Sequence, residues 1–242
     1  MRTALVGGKV ILERFETAQA LASAAAEQWL EQLVGHASPA YFAALSGGRI
    51  AREFFGAVAD GVRGKASALA KVHFFWSDER CVPPDDPESN FRLARELLFK
   101  PAGVSEQQIH RIKGELEPPA AARGAGEELC NVVAERKGNW PVLDMIFLGM
   151  GEDGHVASLF PPVQPLPGEQ IYFPVVASKP PPNRITMSYD VLVAAKAVWV
   201  LASGAGKERA LRDSLSGEAK TPLGEVIRRR QEVKLLTDIA FD

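Results

Sequence analysis

The chain has 242 residues, enough for one large domain or two small ones, and 46% hydrophobic content lets it bury a substantial core. A formal charge of −2, from 28 Lys and Arg against 30 Asp and Glu, argues against nucleic acid as the main partner. Two cysteines, Cys81 and Cys130, are too few and too far apart for a disulfide framework or a metal-ligand pattern, and read as free thiols in a reducing compartment.

Residues 1–8 lack the apolar run and cleavage site of a signal peptide, and no segment approaches the roughly 20 apolar residues of a membrane span. A cytoplasmic protein without a membrane partner is expected. Strand-like and helix-like segments then alternate. Lys9–Phe15 reads as a strand, the Ala-rich Thr17–Val34 as an amphipathic helix and Ala40–Leu45 as a short strand. Arg49–Ala59 has helical periodicity, with Phe54, Phe55 and Val58 on one side. Lys71–Trp76 is an aromatic-rich strand, and Asn90–Phe99 a helix stopped by Pro101. Ile109–Ile112 suggests a short strand, and Pro118–Lys137 a helix with proline in its first turn. Strands follow at Leu143–Leu148, Ile171–Val176, Arg184–Ser188 and Val198–Ala202. Gly206–Ser214 and Thr221–Arg229 read as helices, the latter with Thr221 as N-cap and Pro222 first inside. Arg228-Arg229-Arg230 reads as its solvated end. Val233–Leu236 closes the chain as a strand.

This alternation predicts an α/β fold: a Rossmann-like, largely parallel sheet with helices on both faces. The proline-rich pieces 161–167 and 179–183 are too short for linkers, no repeat is visible, and residues 1–242 read as one domain.

Four polar clusters each follow an apolar strand. Ser46-Gly47-Gly48-Arg49 is a glycine turn into a helix. It suits either a phosphate on backbone N–H groups or an ordinary strand-to-helix turn; the Walker ending is absent. Ser77-Asp78-Glu79-Arg80 offers a carboxylate for a substrate hydroxyl and a guanidinium for an anion, or a plain surface salt-bridge turn. The acidic stretch Asp85 to Asn90 reads as a solvated loop or as charge at the start of the next helix. Gly149-Met150-Gly151-Glu152-Asp153-Gly154-His155 delivers a histidine to a strand end, where ligands of open α/β sheets bind. His155 suits a general base, with Asp153 orienting it or holding a hydroxyl. Ser158 falls on the helix side of that turn, where a hydroxyl caps or binds. The fourth cluster, Ser203-Gly204-Ala205-Gly206-Lys207, is a second anion cradle or an exposed helix start. Arg184, opening its strand, is a further cation candidate or a plain surface arginine after a proline loop. No cysteine–histidine cluster supports zinc, and the G-x-S-x-G elbow of serine hydrolases is missing. Parallel strands bring their carboxyl ends to one sheet edge, so these clusters converge on a site for a small, phosphorylated, hydroxyl-rich substrate.

The same residues resemble the 6-phosphogluconolactonase family. The resemblance rests on Ser46-Gly47-Gly48, on Trp76 to Pro83 continuing to Ser89-Asn90, and on the long motif from Gly149 through His155 to Ala157-Ser158-Leu159-Phe160-Pro161. Arg184-Ile185-Thr186 and Gly206-Lys207 also match. It implies hydrolysis of 6-phosphoglucono-δ-lactone to 6-phosphogluconate, the second step of the pentose phosphate pathway, with no metal or organic cofactor. His155 would take a proton from water, and Asp153 and Asp78 would position His155 or the sugar hydroxyls. Ser46, Gly47, Gly48, Arg184 and Lys207 would hold the phosphate, while Arg80 would contact it or close over the substrate. Backbone N–H groups between Gly149 and Gly154 are the candidates for stabilising the oxyanion. A monomer or weak homodimer is expected. The rival within the superfamily, glucosamine-6-phosphate deaminase/isomerase, places a glutamate before the proline where this chain has Phe160-Pro161. Phe160 therefore points to the lactonase. A silent sugar-phosphate sensor would carry a DNA-binding module, for which the chain has no spare length.

Overall fold

The computed structural model describes residues 2–5, 8–64, 66–163, 168–218 and 220–240. Its strands in chain order are β1 (Arg2–Leu5), β2 (Gly8–Arg14), β3 (Tyr41–Leu45), β4 (Val72–Trp76), β5 (Asp78–Arg80), β6 (Arg136–Lys137), β7 (Trp140–Pro141), β8 (Met145–Gly149), β9 (Tyr172–Val176), β10 (Asn183–Met187), β11 (Ala197–Ala202) and β12 (Glu232–Thr237). The helices are α1 (Ala18–Gly35), α2 (Arg49–Gly61), α3 (Asn90–Ala94), α4 (Lys100–Ala102), α5 (Pro118–Val132), α6 (Tyr189–Ala194), α7 (Glu208–Leu215) and α8 (Pro222–Arg229).

The central sheet runs β1-β2-β12-β11-β8-β3-β4. From β2 to β4 every pairing is parallel, and only β1 is antiparallel, as an edge strand beyond those expected. β3 leads outward to β4, whereas β8 leads to β11 on the other side. The strand order therefore reverses between β3 and β8, and the crevice outside their carboxyl ends is the favoured ligand position of such sheets.

Apolar faces hold the layers together. Along α1, Leu21, Ala25, Trp29 and Leu33 recur every fourth residue and are all buried, and Thr17 caps the helix by accepting from the Ala20 N–H at 3.1 Å. Trp29 packs edge-on against Phe147 of β8, with ring centroids 5.1 Å apart, and 6.0 Å from Phe54 of α2. Leu223, Val226 and Ile227 of α8 are buried, with α8 against α7 and β2. Each such side chain contributes roughly 1.5–3 kcal/mol through the area it removes from water.

The expected strands Ile171–Val176 and Arg184–Ser188 form, but not in the central sheet. They are β9 and β10, which join β5 in a separate antiparallel sheet ordered β5-β10-β9. It docks on the end of β4: the Met187 N–H donates to the Ser77 carbonyl at 2.8 Å, and the Tyr172 hydroxyl to the Trp76 carbonyl at 2.7 Å.

Three predicted boundaries move. Ile109–Ile112 is not a strand: Ile109 makes one bridge to Phe74, and the Gln108 side chain donates to the Leu69 and Val72 carbonyls, both at 2.7 Å, at that edge. The helix expected to reach Lys137 ends at Val132, where the Arg136 guanidinium caps the Cys130 carbonyl at 2.8 Å and Gly138, at φ 62°, turns the chain into the β6–β7 hairpin. Pro101 does not stop its helix. The turn Arg95–Phe99 widens to the i→i+5 pattern and the helix continues to Ala102, stopping at Gly103, whose φ of 66° reverses the chain.

Arg228 and Arg229 are exposed and pair with Glu225 and Asp190, as a solvated helix end should. Arg230 departs from that expectation. It is 8% exposed and donates to the carbonyls of Leu192, Val193, Ala195, Lys196 and Glu232. It thereby caps the end of α6, whose last carbonyls have no helical partner. Arg230→Ala strands several of these carbonyls and is expected to lower unfolding free energy by about 3–5 kcal/mol. Urea denaturation checks this, and a loss below about 1 kcal/mol would contradict the clamp.

Candidate active site

The loop after β8 folds as it does because glycine occupies its crowded positions. The Gly151 N–H donates to the His155 carbonyl at 2.9 Å, and the Gly154 N–H to the Gly151 carbonyl at 3.1 Å. A Cβ at Gly151 would lie 2.0 Å from His155 Nδ1, so the ring can occupy its place only over a glycine. Gly154 has φ +80° and sits against Thr221, the N-cap of α8. Because the Gly151 and Gly154 N–H groups are committed within the loop, they are not free to stabilise an oxyanion. Two of the candidates read from the sequence are thereby removed.

His155 Nδ1 lies 2.5 Å from Asp153 Oδ1, and the His155 backbone N–H donates to the same oxygen at 3.2 Å. With Nδ1–H donated to the carboxylate, Nε2 holds the lone pair. Partial burial works to raise the Asp153 carboxyl, but the His155 charge and hydrogen bonds outweigh it and hold the group below the usual aspartate value. The His155 ring leans on Phe160, with centroids 4.9 Å apart, and the Arg184 guanidinium lies 5.7 Å from the centre of the same ring. Both the histidine and a cation thus pack on one aromatic ring.

A cavity of about 120 Å³ opens at the β3/β8 crevice. Ser46, Gly47, Gly48, Asp78, Arg80, His155 and Arg184 line it, together with Asn90 and the Gly149–Gly151 turn. Asp153 backs His155 from outside this lining. A wider groove of about 620 Å³ lies between α5 and β9, but neither the histidine nor any of the other expected site residues lines it. The smaller cavity is the one that gathers the expected site residues.

The glycine turn after β3 leads directly into α2. Gly48 has φ 101° and no side chain caps the helix, so its first N–H groups and the positive end of its dipole face the crevice. The Ser46 hydroxyl is engaged elsewhere: it donates to the Phe147 carbonyl at 2.8 Å and meets the Ser77 hydroxyl at 2.6 Å, tying β3 to β8 and β4.

Arg80 and Arg184 are direct partners across the antiparallel β5–β10 pair, as are Asp78 and Thr186 two residues along. Like charges opposite one another destabilise a sheet, so this pairing points to an anion. Burial and the neighbouring Arg80 charge both push the Arg184 guanidinium down from its usual range. Arg80 is steadied by Glu88, whose carbonyl and carboxylate accept from Nη1 at 2.9 and 3.3 Å, while its buried Nε has no partner among the described residues. The acidic stretch read as a solvated loop therefore positions a cation.

Asp78 is buried and reached from two sides. The Ser158 hydroxyl donates to Oδ2 at 2.7 Å and Asn90 Nδ2 to Oδ1 at 3.3 Å. Among the described residues no helix directly follows the histidine loop. Ser158 sits in a tight turn, its hydroxyl on Asp78 and its N–H on Thr186.

The fourth cluster behaves differently from its expected cradle. Asp238 already accepts from the Gly204 N–H at 3.1 Å and the Ser203 hydroxyl at 2.8 Å. Lys207 is buried, donates to the Met150 carbonyl at 2.6 Å and does not line the cavity. Burial and the nearby Arg49 charge push its amine below the usual lysine value. Two further participants, Asn90 and Glu79, stood in motifs quoted from the sequence but were given no role there. Glu79 is 3% exposed, and burial pushes its carboxyl up to about 7 against the pull of three backbone N–H donors. Their place in the Trp76–Pro83 and Ser89-Asn90 blocks was the signal that could have found them.

Among the described residues no three His, Cys, Asp or Glu side chains are grouped to hold a metal ion, and no helix is long and apolar enough to cross a membrane.

An uncapped helix start and paired arginines beside a histidine–aspartate pair, at the switch point of a parallel sheet, make an α/β enzyme site for a small anionic ligand. The family model described as glucosamine-6-phosphate isomerases/6-phosphogluconolactonase matches residues 16–235, and the chain belongs to that family. It is similar to the 6-phosphogluconolactonase of Haemophilus influenzae, 36% identical over 171 residues, 70% of this chain and 71% of that one. The 6-phosphogluconolactonase of Aggregatibacter actinomycetemcomitans is 34% identical over 178 residues, 73% and 74% of the two chains. The solved structure of 6-phosphogluconolactonase from Trypanosoma brucei superposes with a TM-score of 0.81 at 26% identity, covering 95% of this chain and 97% of that one.

Proposed function

We propose that this chain hydrolyses 6-phosphoglucono-1,5-lactone to 6-phosphogluconate in the cytoplasmic pentose phosphate pathway, with His155 as the general base. The observation that carries the reading is the 2.5 Å contact between His155 and Asp153, at a cavity whose lining also carries Arg80 and Arg184. Asp153 holds Nδ1–H, so Nε2 takes a proton from water as the oxygen attacks the lactone carbonyl. The tetrahedral adduct then collapses, the ring oxygen leaves, and the imidazolium returns the proton to it. The products are a free hydroxyl and a carboxylic acid, which releases its proton to solvent and leaves as the carboxylate. The phosphate rests on the N–H groups of the Gly47–Gly48 turn between Arg80 and Arg184. Ser46 holds that turn in place, Asp78 meets a sugar hydroxyl, and Lys207 adds positive charge from behind Met150. Anchoring the phosphate away from the reacting carbonyl lets its binding energy orient the lactone.

Phe160 favours the lactonase over the isomerase, because an apolar ring stands against His155 where proton shuttling needs a carboxylate. The purified protein is expected to turn over freshly generated lactone, with spontaneous hydrolysis subtracted, and to leave glucosamine-6-phosphate untouched. Turnover of the amino sugar alone would reverse the assignment.

A further inference from the structure

Glu79 stands between two residues that line the cavity, and successive strand side chains point to opposite faces. Asp78 and Arg80 face the ligand, while Glu79 faces the protein. Its Oε1 accepts from the Arg80 N–H at 2.7 Å and the Asn90 N–H at 2.8 Å. Its Oε2 accepts from the Phe91 N–H at 2.8 Å and the Ser89 hydroxyl at 3.0 Å. An ionised carboxylate has about four lone-pair sites, and all four are filled. Among the described residues no cation pairs with it directly: Arg111, a basic group that feels its charge, forks onto Glu115 at 2.8 and 2.7 Å. A buried carboxylate without a paired cation is costly, and an apolar side chain of similar volume would serve packing better.

What these bonds hold is the first residue of α3. Asn90 donates through Nδ2 to the Asp78 carbonyl at 3.0 Å and to Asp78 Oδ1 at 3.3 Å. Its Oδ1 sits so close to the glycine turn that a Cβ at Gly47 would lie 1.8 Å away. Asn90 is thus wedged between the carboxylate of β5 and the turn that starts α2.

We propose that Glu79 is a positioning residue of this site: its carboxylate bolts β5 to the start of α3 and, through Asn90, sets the spacing between Asp78, Arg80 and the Gly47 turn. The inference rests on the anion-binding reading above. Glu79→Gln replaces one acceptor oxygen with a donor that meets two donors, and the spacing relaxes. Because the residues it places bind substrate rather than move the proton, KM rises about tenfold while kcat falls by less than about threefold. Asn90→Ala has the same effect. The double variant is no worse than either single one, because both act through one linkage.

The test measures lactone kinetics, calorimetric affinity for inorganic phosphate and thermal midpoint for the wild type, both single variants and the double. Phosphate affinity weakens in step with KM, so the positioning claim is read even if the wild type fails on the lactone and the proposed reaction falls. Unchanged phosphate affinity in a folded Glu79→Gln variant overturns the inference, whatever the midpoint does. So do single effects that multiply in the double variant. If Glu79→Gln does not fold, Asn90→Ala alone decides by the same phosphate measurement.

Discussion

Replacing His155 with alanine is expected to lower kcat on the lactone by roughly 10²–10⁴-fold, the range for loss of a positioned general base, with KM little changed. The split follows from where the histidine stands. Its Nδ1 is engaged by Asp153 at 2.5 Å and its ring lines the cavity, so on the proposed reading Nε2 moves the proton while the arginines carry the phosphate. Asp153→Asn should lose part of the same rate, because an amide can donate as well as accept and no longer enforces the tautomer that frees Nε2. Initial rates on fresh lactone, corrected for spontaneous opening, decide this. A His155→Ala enzyme with wild-type kcat would remove the general-base role outright.

The second large effect belongs to Arg184. Arg184→Ala is expected to raise KM roughly 10–100-fold, corresponding to about 1.5–3 kcal/mol for losing hydrogen bonds to a charged partner. kcat should change less, because phosphate contacts persist from ground state to transition state. Stability should move differently. Arg184 faces Arg80 directly across the β5–β10 pair, and among the described residues its side-chain hydrogen bonds are only to the Pro181 and Lys179 carbonyls at 3.2 and 3.4 Å. Removing it relieves a like-charge pair, so the thermal midpoint without ligand should hold or rise. Inorganic phosphate should raise the wild-type midpoint through binding to the folded state, and the variant's much less. An unchanged KM, or equal stabilisation of both proteins by phosphate, would show that the arginine pair is not the anion site.

Most of the architecture was legible in the chain. The aromatic and β-branched runs at Tyr41–Leu45, Val72–Trp76, Met145–Gly149 and Ala197–Ala202 mark buried parallel strands because both their faces are covered. Thr221-Pro222 announced α8, and the Ala-rich amphipathic run from Thr17 announced α1. The glycine-enclosed His155 was also readable, since only glycine tolerates the φ of +80° at position 154 and the contact with the histidine ring at position 151.

Two of the boundaries that moved were set by contacts a few residues away, and the one at Ile109 by Gln108 reaching the Leu69 and Val72 carbonyls far back in the chain. Arg136 reaches back to the Cys130 carbonyl and ends α5, and a widened turn carries the chain through Pro101. Arg230 shares a basic run with Arg228 and Arg229, and local chemistry does not distinguish the three. Only the placement of the α6 end beside it makes one a buried clamp.

By itself the sequence determined the strand and helix order, the two turns that open the crevice at β3 and β8, and the residue types around it. Those properties are local: backbone conformation, periodicity and capping act within a few residues. The tertiary structure decided which polar residues meet. Ser158 reaches Asp78 across 80 residues of chain, Arg184 faces Arg80 through an antiparallel sheet that the parallel pattern hid, and Lys207 turns to the Met150 carbonyl instead of the cavity. Pairings of that range carry no local signature, because a polar side chain reads alike whether its eventual partner is water, a carbonyl or a ligand.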